Sequence, residues 1–182
     1  MADFTYDIDP ADFITVGAVG EPGRRTFYLQ ARRNRTFSSF VVEKEQVGAL
    51  AEAIEKILED LVEKDPLLNT SEDMIAWGRM ELQEPLEEAF RVGQLGLGYD
   101  EGRDLLILVA QELGSGSDEE RSEALETARL TFTRDQGRAL SRHSLETITK
   151  GRPRCPQCGE PMNAEGHFCP RRNGHRTETL SA

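Results

Sequence analysis

Cys155 and Cys158 stand in the run Cys155-Pro156-Gln157-Cys158-Gly159, and a third cysteine follows in Gly166-His167-Phe168-Cys169-Pro170. Two residues between the first pair of thiols let both sulfurs reach one ion at about 2.3 Å while the turn keeps the backbone compact. Gly159 offers the freedom needed just past the second ligand. A histidine completes a tetrahedral count, with His167 and His175 both in range. His167 is favoured: it lies two before Cys169, and residues i and i+2 of an extended chain point the same way. His175 then becomes a surface residue near Arg171, Arg172 and Arg176. Three thiolates and an imidazole leave no vacant position, so the expected cofactor is one structural zinc ion rather than a catalytic one. A redox pair at Cys155 and Cys158 is the rival reading of a Cys-x-x-Cys.

A second cluster combines charge with aromatic surface. Arg24, Arg25, Arg32, Arg33 and Arg35 surround Phe27, Tyr28 and Phe37. In an extended segment Thr26 to Arg32, the side chains of Tyr28, Gln30 and Arg32 share one face, opposite Phe27 and Leu29, as a platform for single-stranded nucleic acid requires. The competing reading is that these arginines pair with nearby carboxylates. Arg24 and Arg25 could alternatively clamp the phosphate of a small molecule, with Glu21 or Asp100 as acid or base. Catalysis finds little further support: there is no G-x-S-x-G elbow, P-loop or dinucleotide fingerprint in its strand-helix context, and no nucleophile is recognisably paired with a base. His143 lies on an expected helix, where it reads as a partly buried filler.

Charge and composition bound the partners. The chain has 182 residues, 37% hydrophobic and 30% charged, with a net charge of −11. That size suits one compact domain with an appendage. Residues 151–182 carry five Arg against three Glu, leaving 17 basic and 30 acidic side chains in 1–150. So acidic a body repels nucleic acid phosphates and anionic membranes at long range. The longest apolar run, Leu105 to Ala110, is too short to cross a bilayer, and Met1-Ala2-Asp3-Phe4 lacks the regions of a signal peptide. The cytoplasm is the expected location, and there three cysteines within fifteen residues suit a metal better than a disulfide.

The elements that must position these residues form two similar runs. Phe13 to Val19, a turn at Gly20-Glu21-Pro22-Gly23, and Thr26 to Arg32 make a hairpin signal, followed by a third β-prone segment, Thr36 to Glu43. Glu45 to Lys64 then shows Val47, Leu50, Ala51, Ile54, Ile57, Leu58 and Leu61 at helical spacing. The order returns as strand Ala89 to Leu97, turn Gly98 to Gly102, strands Leu105 to Leu113 and Glu126 to Thr133, and a helix from Arg134 or Asp135 to about Lys150. Val41 to Leu50 can be laid over Thr131 to Leu140 without gaps, matching charge type, a Gln and an Ala-Leu pair, and Gly23-Arg24 falls opposite Gly102-Arg103.

The expected fold is therefore α+β: duplicated β-β-β-α units, about 11–64 and 86–150, forming an antiparallel sheet of six or more strands packed by two helices. A pseudo-twofold axis should relate the units. Phe27, Leu29, Val42, Leu50, Ile54, Leu58, Leu106, Leu108, Leu130 and Phe132 are the expected core of this domain, 1–150, and 151–182 form a zinc-ribbon-like tail. Asp65 to Pro85 reads as a connector with a short helix around Met74 to Trp77 after a Ser71 cap. Gly114 to Glu120 reads as a solvated acidic loop.

Three stretches resemble an uncharacterised bacterial family, domain of unknown function three thousand and ninety: Gly17 to Arg32, Phe90-Arg91-Val92-Gly93, and the tail from Cys155-Pro156-Gln157-Cys158-Gly159 to Gly166-His167-Phe168-Cys169-Pro170-Arg171-Arg172-Asn173-Gly174. The resemblance covers nearly the whole chain. It implies no assigned activity, and it implies gene neighbours resembling a histidine phosphatase and a phosphatidylinositol kinase. It also favours His167 as ligand, since family members usually carry Tyr where this chain has His175; Asn163-Ala164 departs from an Asp-Pro expected there. The resulting functional expectation is a non-catalytic zinc-binding interaction or regulatory module whose partner is another protein, with those kinase-like and phosphatase-like products as the candidates. Single-stranded nucleic acid binding and an enzyme on a phosphorylated small molecule are the alternatives.

Overall fold

The computed structural model describes residues 4–21, 23–65, 80–114, 125–150, 155–159, 162, 168–169 and 171. Its elements follow as β1 (Tyr6–Ile8), β2 (Phe13–Val19), β3 (Thr26–Arg33), β4 (Thr36–Val42), α1 (Lys44–Lys64), β5 (Glu88–Asp100), β6 (Leu105–Glu112), β7 (Thr127–Thr133) and α2 (Arg134–Thr149). The seven strands form one sheet in the order β1-β7-β6-β5-β4-β3-β2, and the two helices pack on each other, an α+β architecture.

Apolar alternation explains the strands. On β6, Leu106, Leu108 and Ala110 are fully buried while the residues between them are half-buried, and on β7 Ala128, Leu130 and Phe132 face the same core, with Thr131 buried on the other side. In α1, Val47, Leu50, Ala51, Ile54, Leu58 and Leu61 recur every three or four residues and are buried as one stripe. All ten expected core residues fall in the main apolar cluster.

Inside each run the strands pair antiparallel, β2 with β3 and β3 with β4, β5 with β6 and β6 with β7. Where the runs meet, β4 pairs with β5 in parallel, and β1 is added to β7, also in parallel. The two runs thus point the same way and succeed one another across the sheet. Those are the directions and the order that a twofold axis running along the strands of a curved sheet preserves, and α1 packs on β5 as α2 packs on β2. Helix α2 packs along β2 as well as against β6 and β7, so it draws the two ends of the curved sheet together.

Two local boundaries differ from expectation. β5 continues through Gly96 and Gly98 to Asp100, because Leu95, Leu97 and Tyr99 pair with Ala110, Leu108 and Leu106 and keep the apolar face going; the turn falls at 101–104. Both helices begin with a glutamine that closes on the residue before the helix: Glu43 N–H donates to Gln46 Oε1 and Thr133 N–H to Gln136 Oε1, each at 2.8 Å. The amide nitrogens of these glutamines tie each helix start to a neighbour, Gln46 to the Val92 and Gly93 carbonyls and Gln136 to that of Ala11.

Strands β2 to β4 are buried on both faces. The second face is covered by residues 80–83: the Thr15 hydroxyl donates to the Met80 carbonyl at 2.5 Å, and Leu82 sits so close to Gly17 that an added Cβ would lie 2.4 Å from its Cγ. The expected short helix at 71–77 and all but the first residue of the acidic loop 114–120 lie outside the described residues.

Candidate metal centre

The knuckle Cys155–Gly159 is a tight turn closed by a 2.8 Å bond from the Gly159 N–H to the Cys155 carbonyl, with Gly159 at φ 77°, a conformation glycine adopts without strain. This turn brings the sulfurs of Cys155 and Cys158 close to that of Cys169. The three sulfurs all lie within 4.8 Å of one another, and those of Cys155 and Cys169 are 3.9 Å apart. A tetrahedral ion with metal–sulfur bonds of about 2.3 Å has sulfur–sulfur edges of about 3.8 Å. Cys155 and Cys169 are buried.

Backbone donors prepare this cluster for negative charge. The N–H groups of Cys158 and Gln157 point at the Cys155 sulfur, the latter at 3.4 Å, and lower the Cys155 pKa below that of an ordinary thiol. Gln157, a residue the cysteine spacing does not single out, also receives the Cys169 thiol on Oε1 at 3.8 Å and the Arg171 guanidinium on its carbonyl at 2.9 Å. Its position between two thiols is the one signal that could have found it. Three converging thiols with N–H donors aimed at sulfur suit a thiophilic metal ion. His167 and His175 lie outside the described residues.

The basic aromatic cluster is arranged differently. Tyr28 and Gln30 share the face read as a binding platform, but both are buried, with Gln30 0% exposed. The Gln30 amide donates to the Gln83 carbonyl at 2.9 Å and to Ser39 Oγ at 3.1 Å, and accepts from the Gln83 N–H at 2.8 Å. The Tyr28 hydroxyl donates to Glu88 at 2.7 Å, and this bond together with burial raises its pKa. Arg32 lies over the rings of Phe13 and Phe37, with Nη1 3.5 Å from Gln83 Oε1. The connector therefore occupies the proposed stacking face.

Arg24 is exposed in the β2–β3 turn, whereas Arg25 donates to the Thr147 carbonyl at 3.0 Å and covers Phe27. The phosphate clamp is thus divided. Asp100, its suggested acid or base, accepts the N–H groups of Gly102 and Arg103 and so caps the β5–β6 turn. His143 is half-buried on α2, and desolvation lowers its pKa.

No helix among the described residues is long and apolar enough to cross a membrane. A family model described as a protein of unknown function (DUF3090) matches residues 6–169. No curated protein and no solved structure matches the chain.

Proposed function

Because the chain belongs to the DUF3090 family, whose model runs from β1 through the last cysteine, we propose that it is a non-catalytic zinc-binding module that docks another protein. The observation that carries this reading is the convergence of Cys155, Cys158 and Cys169 within 4.8 Å on a short tail. Zinc is the ion that suits thiolates in a tetrahedral knuckle, and His167 supplies its fourth ligand. The set leaves no open position for substrate, so the metal acts structurally: its binding energy substitutes for the apolar burial that so short a tail cannot provide. Within this reading 11–64 and 86–150 are two copies of one unit, and 151–182 is a zinc ribbon displayed beside them. Phe168, next to the third thiol and 76% exposed, is an aromatic anchor of the kind protein interfaces use.

Metal analysis of the purified chain tests the site: about one zinc per chain is expected, with most of it lost on Cys158→Ser or His167→Ala and retained on His175→Ala. Less than about half an equivalent in the unmodified protein would refute it. Co-expression with the kinase-like and phosphatase-like neighbour products tests the partner, where stable co-purification with one of them is expected.

A further inference from the structure

Strand β4 leaves the sheet at Val42 to become α1, whereas its neighbour β5 runs on to Asp100. The last register between them is Val41 with Arg91, so among the described residues no strand pairs with β5 beyond Arg91 on the side opposite β6. Every second residue of that stretch turns its N–H and C=O away from β6. Gln46 takes up the carbonyls of Val92 and Gly93, at the register shift where this stretch begins. Past them α1 offers Ala49 and Ala53, which have no side-chain donors.

A groove of about 370 Å³ opens between α1 and this edge. Its walls are mostly apolar, with Ala49, Leu50 and Ala53 from α1, Leu95 and Leu97 from β5 and Leu108 behind them, and Gln46 and Gln94 at the end near Gly93. Leu95 and Leu97 are only partly covered, although they share the core face with the fully buried Leu108 and Ala110. Gly96 and Gly98 alternate with them on the opposite face of the strand, where nothing lies within 4 Å of an added Cβ. The rim is acidic. Glu45, Glu52, Asp60 and Glu63 are exposed on the side of α1 next to Ala49 and Ala53, against Lys56 and Lys64 in the same stripe, and Asp100 and Glu101 close the far end.

We propose that this edge takes an extended segment of a partner protein, with alternating apolar residues flanked by Lys or Arg, as an added strand in the place β4 vacates. Backbone bonds to β5 would supply affinity, the groove would take alternate side chains, and the rim would select basic flanks. A second copy of this chain fits less well, because pairing β5 with β5 would bring two acidic rims together. The inference rests on reading the body as an interaction surface and specifies what that surface accepts.

The test uses the full zinc-loaded chain and two short peptides of alternating valine and threonine, one with two lysines at each end and one with two glutamates. Hydrogen exchange read by mass spectrometry should show the lysine peptide protecting amides in 93–100, with the glutamate peptide about tenfold weaker. Ala53→Arg, which fills the groove and repels the peptide, should weaken protection by a similar factor; Ala49→Arg is the second variant should the first alter the far-ultraviolet spectrum. The proposal is overturned by absence of protection with either peptide, by protection equal in Ala53→Arg, or by concentration-dependent protection without peptide, which would assign the edge to a second copy. Zinc content is read on the same samples, so loss of peptide binding with metal intact defeats the groove alone, and absence of zinc with peptide binding intact defeats the metal reading alone.

Discussion

Asp9 ties β1 to β7. Its carboxylate receives Arg103 through two bonds, of 2.5 and 2.9 Å, and the Thr131 hydroxyl at 2.6 Å, while Arg129 stands 3.3 Å away. The hydrogen-bonded Arg103 guanidinium is the main reason its pKa falls from 3.8 to about 2, against a smaller opposing effect of burial. A carboxylate depressed in the folded state stabilises the fold above its unfolded pKa, and that stabilisation is lost as pH falls through the folded value. Asp9 is 13% exposed but the Arg103 side chain that holds it is 45% exposed, so solvent screening leaves the contribution at no more than roughly 2 kcal/mol. Asp9→Asn should therefore cost roughly 1–2 kcal/mol at neutral pH, with the gap from the unmodified chain closing between about pH 4 and about pH 2. Urea titrations of both proteins across that range check the prediction; a gap independent of pH would show that the charge is not what matters.

Single elements depend on two contacts that propensity does not reveal. Gln30 is fully buried and bridges β3 to the connector through both main-chain groups of Gln83. Gln30→Ala leaves that N–H and C=O unpaired and should cost about 2–4 kcal/mol; proteolysis within 80–85 should accelerate in parallel. Gly137 lies in α2, where alanine normally gains up to about 1 kcal/mol. Here an added Cβ would fall 2.4 Å from a methyl of Leu106, itself 0% exposed, with Ile54 and Phe132 at 3.4 Å. Gly137→Ala should instead lower stability by about 1–2 kcal/mol through overpacking, measurable by thermal melting.

The same contrast explains what could be read from the sequence. Strands such as β6 and the stripe of α1 were legible because alternation and helical spacing are local. The paired glutamines at 46 and 136 were visible as a coincidence, and the helix-start bonds give its cause. Three-residue β1 is too short for a period, and parallel pairing of β4 with β5 leaves no mark on either strand. Tyr28, Gln30 and Arg32 were rightly placed on one face, but what covers it is 80–83, a segment with no pattern of its own. The cysteine cluster was legible from spacing, whereas the supporting role of Gln157 depends on where its backbone points.

For the whole molecule, charge sets the range of partners. With −11 overall and Tyr28 and Gln30 buried, the chain should not retain single-stranded oligonucleotides even at low salt, where phosphate contacts are strongest. Fluorescence anisotropy with labelled DNA and RNA checks this, and saturable, salt-sensitive binding would contradict it. Basic protein segments should show the opposite dependence, associating faster as salt is lowered.

Pairing β1 with β7 also dictates a timetable. The partners of Tyr6 to Ile8, Ala128 to Leu130, are made 122 residues after them. At about 5–20 residues per second, that strand waits roughly 6–24 seconds. The stretch from β2 to α1 has its own local hairpins and can condense meanwhile. β1 thus stays without its partner until β7 is made, and a nascent chain stalled before residue 127 would carry it unpaired.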